Sequence, residues 1–115
     1  MTVGEEKVEA ATFHERRQSQ RYRTDRGVQC WEMGSTVPHW GKLKDISLGG
    51  CYVTMEDPFS VATRVRLQII LFGLKLLIEG MVRTSVLGRG MGIEFVNLAT
   101  EHETMLKAAL EKLRS

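Results

Sequence analysis

Apolar and polar residues alternate with a period of two along most of the chain, and short runs of turn-forming residues interrupt the alternation. Val28 and Cys30 alternate with Gln29 and Trp31, which predicts a first strand ending at Gly34-Ser35. Pro38-His39 marks a turn, and Gly41-Lys42-Leu43-Lys44-Asp45-Ile46 then sets small or apolar positions against polar ones. Ser47-Leu48-Gly49-Gly50 is a turn by composition, because glycine reaches positive φ without steric penalty. Cys51-Tyr52-Val53-Thr54-Met55 suits a pleated surface and is closed by Glu56-Asp57-Pro58. The clearest alternation is Arg64-Val65-Arg66-Leu67-Gln68-Ile69. Phe72-Gly73 predicts a reversal, after which Leu74, Leu76, Ile78 and Val82 face one way and Lys75, Glu79 and Arg83 the other. Gly88-Arg89-Gly90 leads into a last strand, Met91-Gly92-Ile93-Glu94-Phe95-Val96. Short strands at this spacing predict a mainly β domain, either a small barrel or a sandwich.

The period then changes. Met105, Leu106, Ala109, Leu110 and Leu113 recur at helical spacing behind Thr100 and Glu103, a pair that fits a capping box. An amphipathic helix is expected over about 100–114, laid on the β domain or closing one end of it rather than forming a dimer contact. At the other terminus, residues 1–15 are mixed and charged, a lead-in without a persistent apolar face. Residues 16–26 carry five arginines against one acid and have no hydrophobic period, which predicts an exposed loop or extended arm. The chain therefore divides into a lead-in over 1–15 and one domain over 16–115: the arm, a β unit over about 27–97, and the helix.

A length of 115 residues with 43% apolar content suits one packed core and leaves no room for a two-lobed enzyme. Net charge is 16 − 14 = +2, too near neutral for a nucleic-acid coat or a polybasic membrane anchor. Cys30 and Cys51 are the only cysteines and fall in no CxxC pattern, so reduced thiols in the cytoplasm are expected rather than a disulfide framework. The acidic N-terminal residues do not resemble a secretory signal. Arg66, Gln68, Lys75 and Glu79 break the apolar stretch from Val65 to Val82, so membrane insertion is not expected.

The motifs tested for catalysis or metal binding do not fit. His14, His39 and His102 are scattered, no HExxH, GxSxG or GxxxxGK[ST] occurs, and the cysteines and histidines offer no metal-ligand spacing. No enzyme, metal or cofactor is therefore expected. Anion and purine chemistry remains. Arg17 and Arg21 stand four residues apart in the arm, and guanidinium forks match phosphate oxygens or the O6/N7 edge of guanine. Downstream, Asp45 can accept from the N1/N2 edge of guanine, Ser47 supplies a hydroxyl, and Gly50 permits a tight turn or close approach to a flat ring. Taken singly, the basic run reads as a solvated face and the second motif as an ordinary hairpin turn. Trp31 and Trp40 are expected in the core or at its rim rather than stacked on a ligand.

Taken together, Arg16-Arg17-xxx-Arg21, then Gly41-Lys42-Leu43-Lys44-Asp45-Ile46-Ser47 with Gly50, then Gly92-Ile93-Glu94-Phe95, resemble the PilZ family of cyclic di-GMP receptors over roughly residues 15–110. The resemblance implies a six-stranded antiparallel β-barrel with a C-terminal helix. It implies cyclic di-GMP as ligand, with Arg17 and Arg21 clamping phosphate and guanine against a rim of Asp45, Ser47 and Gly50. Gly49 and Gly92 are additional candidates, and Arg16 implies an intercalated cyclic di-GMP dimer. Ligand binding would order the arm against the barrel and alter a surface for an effector protein. Two rival readings are a PilZ-like interaction module that binds no nucleotide, and a small basic barrel for single-stranded nucleic acid. The second is poorly supplied with charge and aromatic residues.

Overall fold

Val65, Leu67, Ile69 and Leu71 are fully buried while Arg64, Arg66 and Ile70 between them are exposed, so the alternation seen in the sequence is that of a strand with one face in a core. A computed structural model describes residues 20–114. The strands are β1 (Tyr22–Glu32), β2 (His39–Ile46), β3 (Gly50–Thr54), β4 (Arg64–Leu71), β5 (Leu74–Val86) and β6 (Gly90–Val96), and helix α1 (Thr100–Arg114) follows. The strands close into a barrel in the order β1-β2-β3-β6-β5-β4, every neighbour antiparallel. Closure removes sheet edges and leaves one interior, filled by inward residues of all the strands, among them Val28, Leu43, Val53, Leu67, Ile78 and Met91. The expected six-stranded barrel with a C-terminal helix is the observed architecture.

Because all neighbours are antiparallel, the start of β1, the β2–β3 turn, the β4–β5 turn and the end of β6 share one end of the barrel. The β4–β5 turn is the expected Phe72-Gly73 reversal, with φ of 53° and 79°, the positive values that two-residue hairpins of primed type require. Helix α1 leaves β6 at this same end and packs on β5 and β1. Leu106, Ala109 and Leu110 join the barrel's own core, with Met105 and Leu113 packed against it. The stripe predicted at helical spacing is thus the buried one.

Two local expectations differ. The first strand begins at Tyr22, inside the segment expected as an extended arm. Tyr22 and Arg23 pair with Ile46 and Asp45, and a register shift between Arg23 and Arg26 separates them from the regular ladder. Backbone hydrogen bonding makes this a strand although its arginines are exposed and give no hydrophobic period. The capping box is not formed as expected. The Glu103 amide donates to the Ala99 carbonyl at 2.8 Å, so Thr100 is already helical, and the Thr104 hydroxyl bonds back to the Thr100 carbonyl at 3.0 Å.

Candidate functional site

Arg21 immediately precedes β1, and the pairing of Arg23 with Asp45 carries it to the end of β2. There its Nη1 donates to Asp45 Oδ1 at 2.5 Å. The arginine segment and the downstream acid, 24 positions apart in sequence, therefore meet. Arg16 and Arg17, the other arginines named from the sequence, lie outside the described residues, as does the 1–15 lead-in. A guanidinium carries five N–H donors, and the ion pair engages one of its nitrogens.

Asp45 faces outward because β2 changes phase just before it. Leu43 and Ile46 are both buried although three residues apart, and a register shift against β3 between Leu43 and Asp45 absorbs the extra residue. Without that bulge, a strict period of two would not allow both apolar residues into the core.

Ser47 and Gly50 do structural work in the β2–β3 turn. The Ser47 hydroxyl is buried, accepts from the Gly49 and Gly50 amides at 3.2 Å each, and lies 3.2 Å from the Gly50 carbonyl. The Ser47 amide donates to that carbonyl at 2.8 Å, closing the turn. A Cβ on Gly50 would stand 2.2 Å from the Ile93 carbonyl oxygen, so glycine is required by the close approach of β3 to β6. Gly49 is exposed beside it, and its carbonyl accepts from the Phe95 amide at 2.9 Å.

Registers across the barrel extend the site in one line. Asp45 pairs with Tyr52, Tyr52 with Gly92, and Gly92 with Thr84. Tyr52 and Gly92 each sit between two buried neighbours and so face outward. The Gly92 amide donates to Thr84 Oγ1 at 3.1 Å, and its missing side chain leaves a shallow floor between Thr84 and the Tyr52 ring. Lys44 Nζ lies 6.0 Å from the Tyr52 ring centroid, and Arg83 pairs with Glu94 at 2.6 Å alongside. Tyr52, Lys44 and Thr84 were not singled out in the sequence. Lys44 is the sequence neighbour of Asp45, and only the strand register puts Tyr52 and Thr84 beside it.

Cys51, next to Tyr52, points into the core. Burial pushes its thiol up first of all, and the neighbouring Cys30 and Asp45 push the same way while Arg21 acts against them. Burial likewise raises Cys30 to about 12. Both are free, neutral packing groups rather than nucleophiles. Trp31 and Trp40 lie outside the core, on outward positions of β1 and the start of β2. Among the described residues no three His, Cys, Asp or Glu side chains converge, and no helix is long and apolar enough to cross a membrane.

The arrangement offers a guanidinium, a carboxylate and an aromatic face around a shallow, glycine-floored strip, a setting for an anionic, planar ligand. The family model described as PilZ domain matches residues 15–112. Among solved structures, the PilZ domain of CeSA from a cellulose-synthesizing bacterium superposes with TM-score 0.67 at 23% identity, over 81% of this chain and 97% of that one. The Bacillus subtilis inhibitor of motility superposes with TM-score 0.69 at 23% identity, over 84% of this chain and 51% of that one. The Borreliella burgdorferi PlzA protein, solved in complex with c-di-GMP, gives TM-score 0.63 at 17% identity, over 86% and 43%. The chain thus spans about half the length of the last two, and at these identities the likeness is one of fold. No curated protein matches the sequence.

Proposed function

The chain belongs to the PilZ domain family, and on that premise we propose that it is a bacterial cytoplasmic receptor for cyclic di-GMP that acts by binding rather than catalysis. The observation that carries this reading is the contact of Arg21 with Asp45, because it joins the two halves of the arginine and Asp-x-Ser-xx-Gly pattern in one place. Arg17 and Arg21 would hold phosphate and guanine through charge-assisted bonds, with Asp45 taking guanine N–H donors. Ser47, Gly49 and Gly50 would serve by holding the turn that presents Asp45, and Gly92 by keeping the strip beside Tyr52 open. Arg16 would favour a self-stacked dinucleotide dimer. Binding would gather Arg16, Arg17 and Arg21 onto the ligand against the barrel and change a surface read by an effector protein.

Calorimetric titration of the full chain with cyclic di-GMP tests the reading. Saturable binding near two nucleotides per chain is expected, weakening as salt is raised because the ligand's phosphates are the counter-charge. One nucleotide per chain would remove the dimer, and absence of heat together with a gel shift on single-stranded oligonucleotide would replace the receptor reading altogether.

A further inference from the structure

The barrel wall that runs from the start of β2 through β1 and β4 to β5 has a distinct chemistry. Trp40 of β2 pairs with Gln29 of β1, Gln29 with Gln68 of β4, and Gln68 with Leu77 of β5. These partners flank buried residues on each strand and so form one outward row, four strands wide and free of charge. Trp40 is 68% exposed, and Leu77 and Ile70 are 45% exposed each. Trp31 lies two positions beyond Gln29 on the same face, so both tryptophans of the chain are here.

Cations surround this row. Lys42, Arg64, Arg66 and Lys75 project from the flanking outward positions, and among the described residues none of them has an ion pair. Glu79, the register partner of Arg66, is an acid on this face, and it already accepts from Asn97 Nδ2 at 3.4 Å. At the β5 side the face runs into a concavity of about 250 Å³ where Arg66, Leu77 and His102 come together beside the start of α1. The row has Trp40 and Leu77 at its two ends with Gln29 and Gln68 between them, and an uncharged centre with charge at the rim is the anatomy of a protein interface. Isolated exposed apolar residues need no explanation, but Trp40, Leu77 and Ile70 share one wall bordered by cations that have no ion pair among the described residues.

We propose that the outer face of β2, β1, β4 and β5 is a docking surface for a partner protein segment that presents apolar side chains flanked by carboxylates. The apolar side chains cover Trp40, Leu77 and Ile70, and the carboxylates answer Lys42, Arg64, Arg66 and Lys75. A second copy of this chain suits the face poorly, because a two-fold contact would set the same cations against each other. A single-stranded nucleic acid is disfavoured because Gln29, Gln68, Leu77 and Ile70 offer no row of stacking platforms. The proposal gives a chemical identity to the effector in the functional reading, but it does not depend on nucleotide binding, which centres on Asp45 at the other end of β2 and on β3 and β6.

The test uses the full chain without nucleotide. Acrylamide quenching of tryptophan emission should find Trp40 open at all dilutions. Shielding would mean that another part of the chain or a second copy already covers the face, and would overturn the proposal. Random linear peptides displayed on phage are then selected against the full chain. The winners should combine Asp or Glu with large apolar residues, blue-shift the tryptophan emission, and lose roughly tenfold or more in affinity to the Trp40→Ala and Leu77→Lys variants. Both positions are exposed, so melting curves of the variants should match the parent. No enrichment, winners without acids, equal binding to the variants, or stronger quenching by oligothymidylate than by any peptide would each overturn it.

Discussion

Arg21 and Asp45 are both reached by solvent, with side chains 57% and 24% exposed, and an ion pair so placed contributes only about 0–1 kcal/mol to stability. Holding the fold together is therefore not what this pair is suited to do. Arg21→Ala should leave the melting temperature nearly unchanged while abolishing measurable cyclic di-GMP binding, and Asp45→Ala should weaken binding with equally little effect on stability. Thermal melts paired with calorimetry check both. Gly50 makes the opposite prediction. A methyl group there collides with the Ile93 carbonyl, a backbone atom that cannot rotate away, and overpacking of this kind costs about 1–3 kcal/mol or more. Gly50→Ala should lower the melting temperature clearly, so any loss of ligand binding in that variant would follow from a displaced β3–β6 pairing. A variant as stable as the parent but unable to bind would instead assign Gly50 to the ligand.

At the scale of elements, the strands with one buried face were legible because burial writes the period of two directly into β4, β5 and β6. The start of β1 was not legible. Tyr22 to Arg26 are fixed by backbone pairing to β2, and backbone hydrogen bonds leave no trace in side-chain polarity. The same reason hid half of the candidate site: Asp45, Ser47 and Gly50 could be named from spacing, but Tyr52 and Thr84 join Asp45 only through registers among β2, β3, β6 and β5. A bulge that turns Asp45 outward changes which residues line up, and one residue of slip reverses a face. The helix was the easiest element to read, since its stripe has a period no strand shares. Its capping was misread because Thr100 and Glu103 fit the pattern one residue too late. That stripe carries a sharp prediction: Leu106 is fully buried where α1 joins the barrel core, so Leu106→Ala should destabilise by about 2–5 kcal/mol. Lys107→Ala, on the exposed side of the same turn, should change stability by less than about 0.5 kcal/mol. Urea unfolding of the two variants separates an interior helix from a merely attached one, for which the two losses would be similar.

For the molecule as a whole, the two cysteines make the core sensitive to alkali. Cys30 on β1 and Cys51 on β3 belong to the one apolar cluster shared by all the strands and the helix, so neither thiol can ionise without placing a charge in that cluster. In the unfolded chain a thiol titrates near 9.0, whereas burial raises Cys30 to about 12 in the folded chain and raises Cys51 as well. Above pH 9 the unfolded state therefore binds fewer protons than the folded one, and stability must fall as pH rises. Below that point the contribution is fully present and flat. Each thiol removes about 1.4 kcal/mol for every pH unit across the window. Urea unfolding followed upward from neutral pH should show this decline, with a thiol-specific reagent unreactive until the chain opens. The surface carries ionisable groups of its own, so the control is Cys51→Ala, which deletes one of the two buried thiols at some loss of packing. Its stability should start lower and then fall with pH along a distinctly shallower line, while a slope equal to the parent's would assign the alkaline loss to the surface groups.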